Sequence, residues 1–497
     1  MPQEKTPGVY IDEKNAFPNS VVEVPTAVPA FVGYTETALR GTQNVTNVPV
    51  RLTSLAEFHT IYGFGPAPVY QFKLGDDGTP ELTAEEDTLF NLYNGMRLFF
   101  NNGGGPCWIV SVGSYKPEPK DPDAFGPKVW DALSKEPEPT MIVMPDAVLM
   151  ASPADYKNVC DAGFNHCIAM KSRVMILDIY QGFRPRNDPD GIDVISDPKV
   201  GFRQLFENDK MSYGAAYYPW INTNIFSGSD ATYLNILKDN RAALGAHVTD
   251  EFKGASDSVK AGVQKLIGEM TGDDVSDATV KRTHEALFAI SGNYKKVMED
   301  VLDKLNLMPP AAAMAGVYTR TDNEIGVWKA PANTGISSVM SPAVTISNEE
   351  QEDLNVPLDG KAVNAIRSFL GRGVLVWGAR TLDGNSQDWR YVNVRRTMIM
   401  LEQSIAIAAE AYVFAPNDAS TWTTVRTMIE NFLNNQWKSG ALAGATPPEA
   451  YQVDVGLGST MTGNDILDGY MRITVKVAIT RPAEFIVITF QQKMQTS

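Results

Sequence analysis

The residues of this chain whose types could do chemistry are four histidines, three cysteines and several acidic clusters. His59, His166, His247 and His284 are scattered, with no HExxH and no two at ligand spacing. His166 adjoins Cys167, but adjacent residues of a helix point apart, which argues against a shared metal or thiol site. Cys107, Cys160 and Cys167 form no CxxC pair and are odd in number, so three free, buried thiols in a cytosolic product are expected. Asp76-Asp77, Glu85-Glu86-Asp87, Asp273-Asp274 and Glu349-Glu350 fall in turns or at helix starts, where carboxylates are solvated or favour the helix dipole. Gly103-Gly104-Gly105 comes nearest to a phosphate loop. It runs from helix to strand and lacks Lys-Ser/Thr, so a tight turn is expected instead. There is no Gly-x-Ser-x-Gly elbow. Arg395-Arg396 could grip a partner's carboxylates, or serve in an internal salt bridge or a solvated surface. No catalytic, cofactor-binding or metal site emerges, and no cofactor is expected.

The elements carrying these residues are built to pack. Val374-Leu375-Val376-Trp377 is a short apolar run bounded by Gly373 and Gly378, as a covered strand should be. Asp383-Gly384-Asn385-Ser386 is turn chemistry. From about Asp388, Val394, Met398, Leu401, Ile405, Ala408 and Tyr412 recur at helical spacing on one face, and the helix must stop before Pro416. A second helix follows, capped by Asp418 or Ser420, with Trp422, Val425, Ile429, Phe432, Leu433 and Trp437 on its face and Gly440 at its end.

At 497 residues, 43% hydrophobic and 21% charged, the chain is of ordinary globular composition and too long for one core. Its net charge of −16 repels phosphate backbones, so no nucleic-acid partner is expected. That charge also opposes close self-assembly unless local contacts are strong. No secretory leader and no bilayer-spanning run are read, so no direct membrane insertion is expected.

Residues 1–40 begin as an extended arm. Val9, Tyr10 and Ile11 lie in a β-prone run, Val21–Val24 follows, and Pro25 and Pro29 force extended backbone. Such an arm either forms an edge strand of its own domain or joins another chain's sheet. Residues 41–82 look like a small β-rich or irregular unit. Residues 83–339 alternate helices with strands, arguing for a mainly parallel, layered sheet. Within them, 221–308 show no convincing strand and no long apolar face, so an outward helical insertion is expected, removable by joining Trp220 to Pro309. Residues 313–319 read as a return to strand. Residues 340–497 close the chain with the strand, the two helices and terminal strands. Ile473, Val475 and Val477 alternate with polar residues, whereas Phe485, Ile486, Val487 and Ile488 are apolar on both faces. A strand so apolar cannot remain at an open edge. The expected class is α/β, or α+β overall. It is multidomain, with a central α/β layered domain inserted into an assembly domain built from 1–40 and 340–497, and with 482–497 as a C-terminal arm.

Several stretches resemble one family. They include Pro7-Gly8-Val9-Tyr10, Ala30-Phe31-Val32-Gly33, Asn102-Gly103-Gly104-Gly105, Tyr217-Tyr218-Pro219-Trp220 and Gly316-Val317-Tyr318-Thr319-Arg320-Thr321-Asp322. Further along come Gly326–Asn333, Asn364-Ala365-Ile366-Arg367, Trp377-Gly378-Ala379-Arg380-Thr381, Tyr391–Arg396 and Pro482-Ala483-Glu484-Phe485. Together they resemble tail sheath proteins of contractile phages and phage-tail-like injection systems. The long helical stretch 221–308 departs from the family's usual short connection. The resemblance implies a structural protein rather than an enzyme, stacked as hexameric rings around an inner tube protein and contracting to drive that tube through an envelope. It implies self-contacts in which Val9, Tyr10, Ile11 and Phe485, Ile486, Val487, Ile488 add strands to a neighbour's sheet, with baseplate and terminal cap proteins as further partners. Assembly in the bacterial cytoplasm would follow, with release inside a tail-like particle. An enzyme on the α/β core is the alternative.

Overall fold

The computed structural model describes residues 20–116, 120–206 and 208–488. These divide into two compact units. The larger holds 25–396 and the described part of 482–497, and the smaller holds 20–24 and Thr397–Arg481.

The larger unit is organised by a nine-stranded sheet. In spatial order its strands are Thr334–Gly335, Gly373–Val376, Asn364–Phe369, Gly214–Tyr218, Val174–Asp178, Met141–Val143, Pro29–Thr35, Cys107–Ser114 and Val50–Leu52. The six from Asn364–Phe369 to Cys107–Ser114 are parallel, and antiparallel strands finish both edges. All seven residues of Pro29–Thr35 are buried, as a strand covered on both faces requires. Period-two alternation splits it: Ala30, Val32 and Tyr34 join a core with Tyr156, Val159, Cys160 and Phe164 of the helix Pro153–Met170. Phe31 points the other way, onto Phe99 of the helix Leu92–Asn101. The α/β rhythm of the sequence is therefore a three-layer arrangement with a parallel centre.

Two strand-side carboxylates set the helices of that second face. Asp146 is fully buried and accepts from the backbone N–H groups of Tyr34, Asn91 and Leu92, at the start of Leu92–Asn101. Asp178 accepts from the N–H of Ala311, the first residue of the helix Ala311–Glu324. Burial pushes the Asp178 carboxyl up to about 8, only partly countered by that bond.

Ala311–Glu324 corrects the strand expected at 313–319. Every residue from 311 to 319 is buried, so no polar face marks the 3.6-residue period, and a covered helix then reads like a covered strand. Small residues let it approach Leu92–Asn101. A Cβ on Gly316 would lie 2.5 Å from the Phe99 carbonyl oxygen and 2.7 Å from the Asn102 Cβ. Gly316→Ala should therefore destabilise the fold by about 1–3 kcal/mol, although alanine itself favours a helix. Denaturant titration of the purified variant checks this, and an unchanged midpoint would mean the two helices can part without cost.

The stretch 221–308 also departs from expectation. Ile221–Thr223 is a strand, pairing antiparallel with Leu307–Met308 and with Val339–Pro342. The helices Arg241–Glu251, Asp257–Thr271, Asp277–Ile290 and Gly292–Asn306 build their own core from Leu244, Val248, Val263, Leu287, Val297 and Val301. Tyr70 and Phe72 of the hairpin Tyr70–Leu74/Pro80–Ala84 complete it. Joining Trp220 to Pro309 would strip those two aromatics of cover, so the stretch is not a removable ornament. Nor is 41–82 a separate unit, because Val50–Leu52 is the sheet's edge strand.

In the smaller unit, Asp418 caps the helix Ala419–Lys438 by accepting from the Thr421 N–H. Val425, Met428, Ile429, Phe432 and Leu433 are its buried face. The strands Tyr451–Val455 and Ile473–Val477 form a two-stranded antiparallel sheet, with Val453 and Val455 buried. The boundary expected near 340 falls at 397, because Asn364–Phe369 and Gly373–Val376 belong to the large sheet. Pro29–Thr35, likewise, is a central strand rather than part of an assembly domain.

Candidate assembly segments and their anchors

The last described residues form the candidate site. In the smaller unit Ala478–Thr480 runs beside Ala441–Ala443, with the Ala443 N–H donating to the Ala478 carbonyl at 2.7 Å and the Thr480 N–H to the Ala441 carbonyl at 3.0 Å. Pro482 then removes a donor and ends the ladder. Beyond Glu484 the chain exposes Phe485 at 71%, Ile486 at 79%, Val487 at 88% and Ile488 at 70%. Among the described residues none of the four has a strand partner. Burying such side chains is worth about 1.5–3 kcal/mol each, so an extended apolar segment left in water is a segment awaiting cover.

Glu484 is held firmly. Its carboxylate accepts from Arg380 Nε at 3.0 Å and Nη2 at 2.6 Å, from Asn355 Nδ2 at 2.8 Å and from Tyr391 Oη at 3.1 Å. Burial pushes this carboxyl up, but the bonds from Arg380, Asn355 and Tyr391 outweigh it and leave the group below its ordinary value. The anchor is thus ionised at neutral pH, and its contribution is lost as pH falls through that depressed value. Arg380 is itself fixed: it donates to the carbonyls of Asn355 and Gly384 and is 3% exposed. The Asn364 side chain grips its peptide on both sides, accepting from the Arg380 N–H at 2.7 Å and donating to the Arg380 carbonyl at 2.8 Å. A Cβ on Gly378 would sit 2.7 Å from that Asn364 oxygen, so glycine is needed for the approach. Three motifs far apart in sequence converge here: Asn364-Ala365, Trp377–Thr381 and Pro482–Phe485.

A comparable knot holds the other end of the chain. Arg396 makes a two-pronged pair with Asp322, at 2.9 Å and 2.6 Å, and also donates to the Thr26 carbonyl at 2.9 Å. Thr26 Oγ1 donates to Asp322 at 2.7 Å, and Thr140 Oγ1 to the Thr26 carbonyl at 2.6 Å. The Arg396 guanidinium lies over the Tyr318 ring, whose hydroxyl meets that of Tyr217 at 2.7 Å. Arg395 stacks over Tyr213 and Trp389, 3.8 Å and 4.5 Å from their ring centres. Both arginines, offered above as possible grips on a partner, are drawn inward: they are 7% and 4% exposed. The aromatic residues around them supply the reason, since tyrosine and tryptophan faces accept a guanidinium at less desolvation cost than an apolar wall. Val9, Tyr10 and Ile11 lie outside the described residues.

The residues that could do chemistry are used for packing. Cys107, Cys160 and Cys167 are buried and free, and burial pushes the Cys107 and Cys167 thiols up to about 12. Burial and Arg173 push His166 down to about 4. His59 and His284 meet the hydroxyls of Tyr93 and Tyr294, each at 3.1 Å. Among the described residues no group of three or more His, Cys, Asp or Glu could hold a metal, and no helix is long and apolar enough to cross a membrane.

Sequence reasoning found the apolar segment but not its anchor. Arg380 and Glu484 stand inside two of the quoted motifs, and an acidic residue directly before an apolar run was the available signal.

Comparison with known proteins follows the same stretches. A family model described as phage tail sheath protein central domain matches residues 233–382, and one described as phage tail sheath C-terminal domain matches 385–493. The first takes in most of the helical stretch that the sequence had set apart from the family. The tail sheath protein of Enterobacteria phage T4 is 27% identical over 154 residues, which is 31% of this chain and 23% of that protein. The tail sheath protein of Vibrio phage KVP40 is 26% identical over 179 residues, 35% of this chain and 25% of its own length. The matched stretches thus span about a quarter of those relatives. Among solved structures, the helical sheath of the anti-feeding prophage in its contracted state has a TM-score of 0.60 at 27% identity, covering 99% of this chain and 100% of that one. The sheath of an extracellular contractile injection system, also contracted, has a TM-score of 0.61 at 24% identity, covering 99% of each, and shows the shared fold.

Proposed function

The chain belongs to the contractile tail sheath family, whose members are structural proteins and not enzymes, and from this premise we propose that it polymerises as stacked hexameric rings around an inner tube protein. Contraction of the rings drives the tube through a target envelope. The observation that carries the proposal is the run Phe485–Ile488, four large apolar residues in water, in a chain that also holds a two-stranded sheet with open edges among the described residues. Strand addition between copies covers both: an incoming strand satisfies the edge N–H and C=O groups of Tyr451–Val455/Ile473–Val477, and its side chains lose water. A sheet of two strands is marginal alone, which gives the recipient as much to gain as the donor. Main-chain hydrogen bonds of this kind also hold copies together against the self-repulsion of a −16 net charge.

In this reading the assembly domain draws on both chain ends, with Val9, Tyr10 and Ile11 donated from one and Phe485, Ile486, Val487 and Ile488 from the other. Energy is stored as the difference between two lattices of one subunit, with no nucleotide or cofactor. Baseplate and terminal cap proteins close the ends of the tube, and the particle assembles in the bacterial cytoplasm. Electron microscopy of the concentrated protein, alone and with its inner tube protein, is the test. Long striated tubes of sixfold symmetry are expected, and uniform small particles under both conditions would reject the proposal.

A further inference from the structure

Each chain end is tied to the larger unit by an arginine–carboxylate knot. At the start, Thr26 is tied to Arg396 and Asp322. At the finish, Glu484 is tied to Arg380, Asn355 and Tyr391. The two arginines bracket one short stretch, 380–396, Arg380 ahead of the loop and Arg396 in the first turns of the helix Val392–Glu410. The contrast across the second knot is sharp. Glu484 makes four hydrogen bonds, and the next four side chains make no strand pairing among the described residues and face water.

Nothing in packing alone requires this arrangement. A surface loop returning from the smaller unit could end without a buried guanidinium committed to it, because loop residues are normally satisfied by water. Arg380 carries a desolvation cost that its three carbonyl and carboxylate contacts must offset, and its peptide is further held by Asn364. Such investment fixes a point in space. We propose that Glu484 is the fixed root of the C-terminal arm and that Arg380 is a positioning residue. It sets where and in which direction residues 485–488 depart, and it delivers any pull on the arm to the nine-stranded sheet through Asn364. The inference rests on the strand-donation reading above and deepens it. Strand register is all-or-none in its effect, since a one-residue shift turns every side chain to the wrong face. An arm with a fixed root reaches its recipient in one register, whereas an arm rooted only at Arg481 would have more slack by the length of 482–484.

Glu484→Gln keeps the size and one acceptor but removes the charge that Arg380 pairs with. Pelletable tube should fall by about tenfold at a temperature where the variant is still fully folded. Because this variant leaves a buried guanidinium short of a partner, a second pair of variants keeps the inference testable if it fails to fold. Gly-Ser inserted between Arg481 and Pro482 lies before the root and should leave assembly unchanged. The same insertion between Glu484 and Phe485 lies after it and should impair assembly. Equal assembly by both insertion variants, or unaltered tubes from Glu484→Gln, would overturn the root. Ile486→Asp with Ile488→Asp runs alongside. If that variant still forms tubes, strand donation itself fails. If it forms none while Glu484→Gln assembles normally, donation stands and only the anchoring role is rejected.

Discussion

With Ile486 and Ile488 both replaced by aspartate, the monomer is expected to keep its melting temperature and form no tubes. The two side chains are 79% and 70% exposed in the isolated chain, so placing carboxylates there removes almost no burial from the monomer. In an assembled sheet the cost is different. Each aliphatic side chain forgoes roughly 2–3 kcal/mol of burial. Each carboxylate must in addition be desolvated without a partner, which exceeds the burial term. Summed over two positions in every subunit of a repeating lattice, this is ample to prevent association. Calorimetry of the monomer and sedimentation of the assembly mixture separate the effects. A monomer that melts several degrees lower would mean that 485–488 pairs within its own chain. Phe485 and Val487 lie on the alternate face, so Phe485→Asp with Val487→Asp measures the other side of the same strand. A segment covered on both faces loses assembly with either pair.

The parts of the fold that were legible in the sequence are those whose burial leaves a period. The capped helix Ala419–Lys438 and the alternation of Ile473, Val475 and Val477 each carry one exposed face, and that face gives the pattern away. Ala311–Glu324 has no such face over its first nine residues, and its β-branched and aromatic members then suggest a strand. The stretch between 241 and 306 was legible as helical but not as a core of its own. Asp257–Thr271 buries only Val263 and Met270, and the stripe Tyr294, Val297, Met298, Val301 and Leu305 of Gly292–Asn306 has no visible partner until the four helices, with Tyr70 and Phe72, enclose a core. The candidate site was legible as composition and not as geometry. Four apolar residues near the chain end stand out in any reading, whereas Arg380 and Glu484 are 104 positions apart and no periodicity links them. Arg395-Arg396 was noticed as a pair of cations on a helix, but sequence does not show the tyrosines and the aspartate that draw it inward.

Removing the carboxylate of Asp322 should produce the largest loss of stability of any single substitution considered. Asp322 and Arg396 side chains are 2% and 4% exposed, and they meet through two nearly parallel hydrogen bonds. Burial pushes the arginine's proton affinity down, and Asp322 more than restores it, so the guanidinium is charged in the folded protein. With Asp322→Ala the guanidinium keeps only the Thr26 carbonyl and the Tyr318 ring. An unpaired charge in such a place costs about 3–5 kcal/mol, well above the loss from a solvated pair such as Lys238–Asp273. The penalty belongs to the stranded charge and not to the missing bond, and this gives the prediction its sharper half. Replacing both members, Asp322→Leu with Arg396→Met, should recover most of the stability lost in the single variant, because no buried charge remains. Denaturant midpoints of the wild type, the two single variants and the double variant form the measurement. A double variant as unstable as the sum of the singles would show instead that the pair contributes through its hydrogen bonds to Thr26, and that the root of the N-terminal arm is what the fold depends on there.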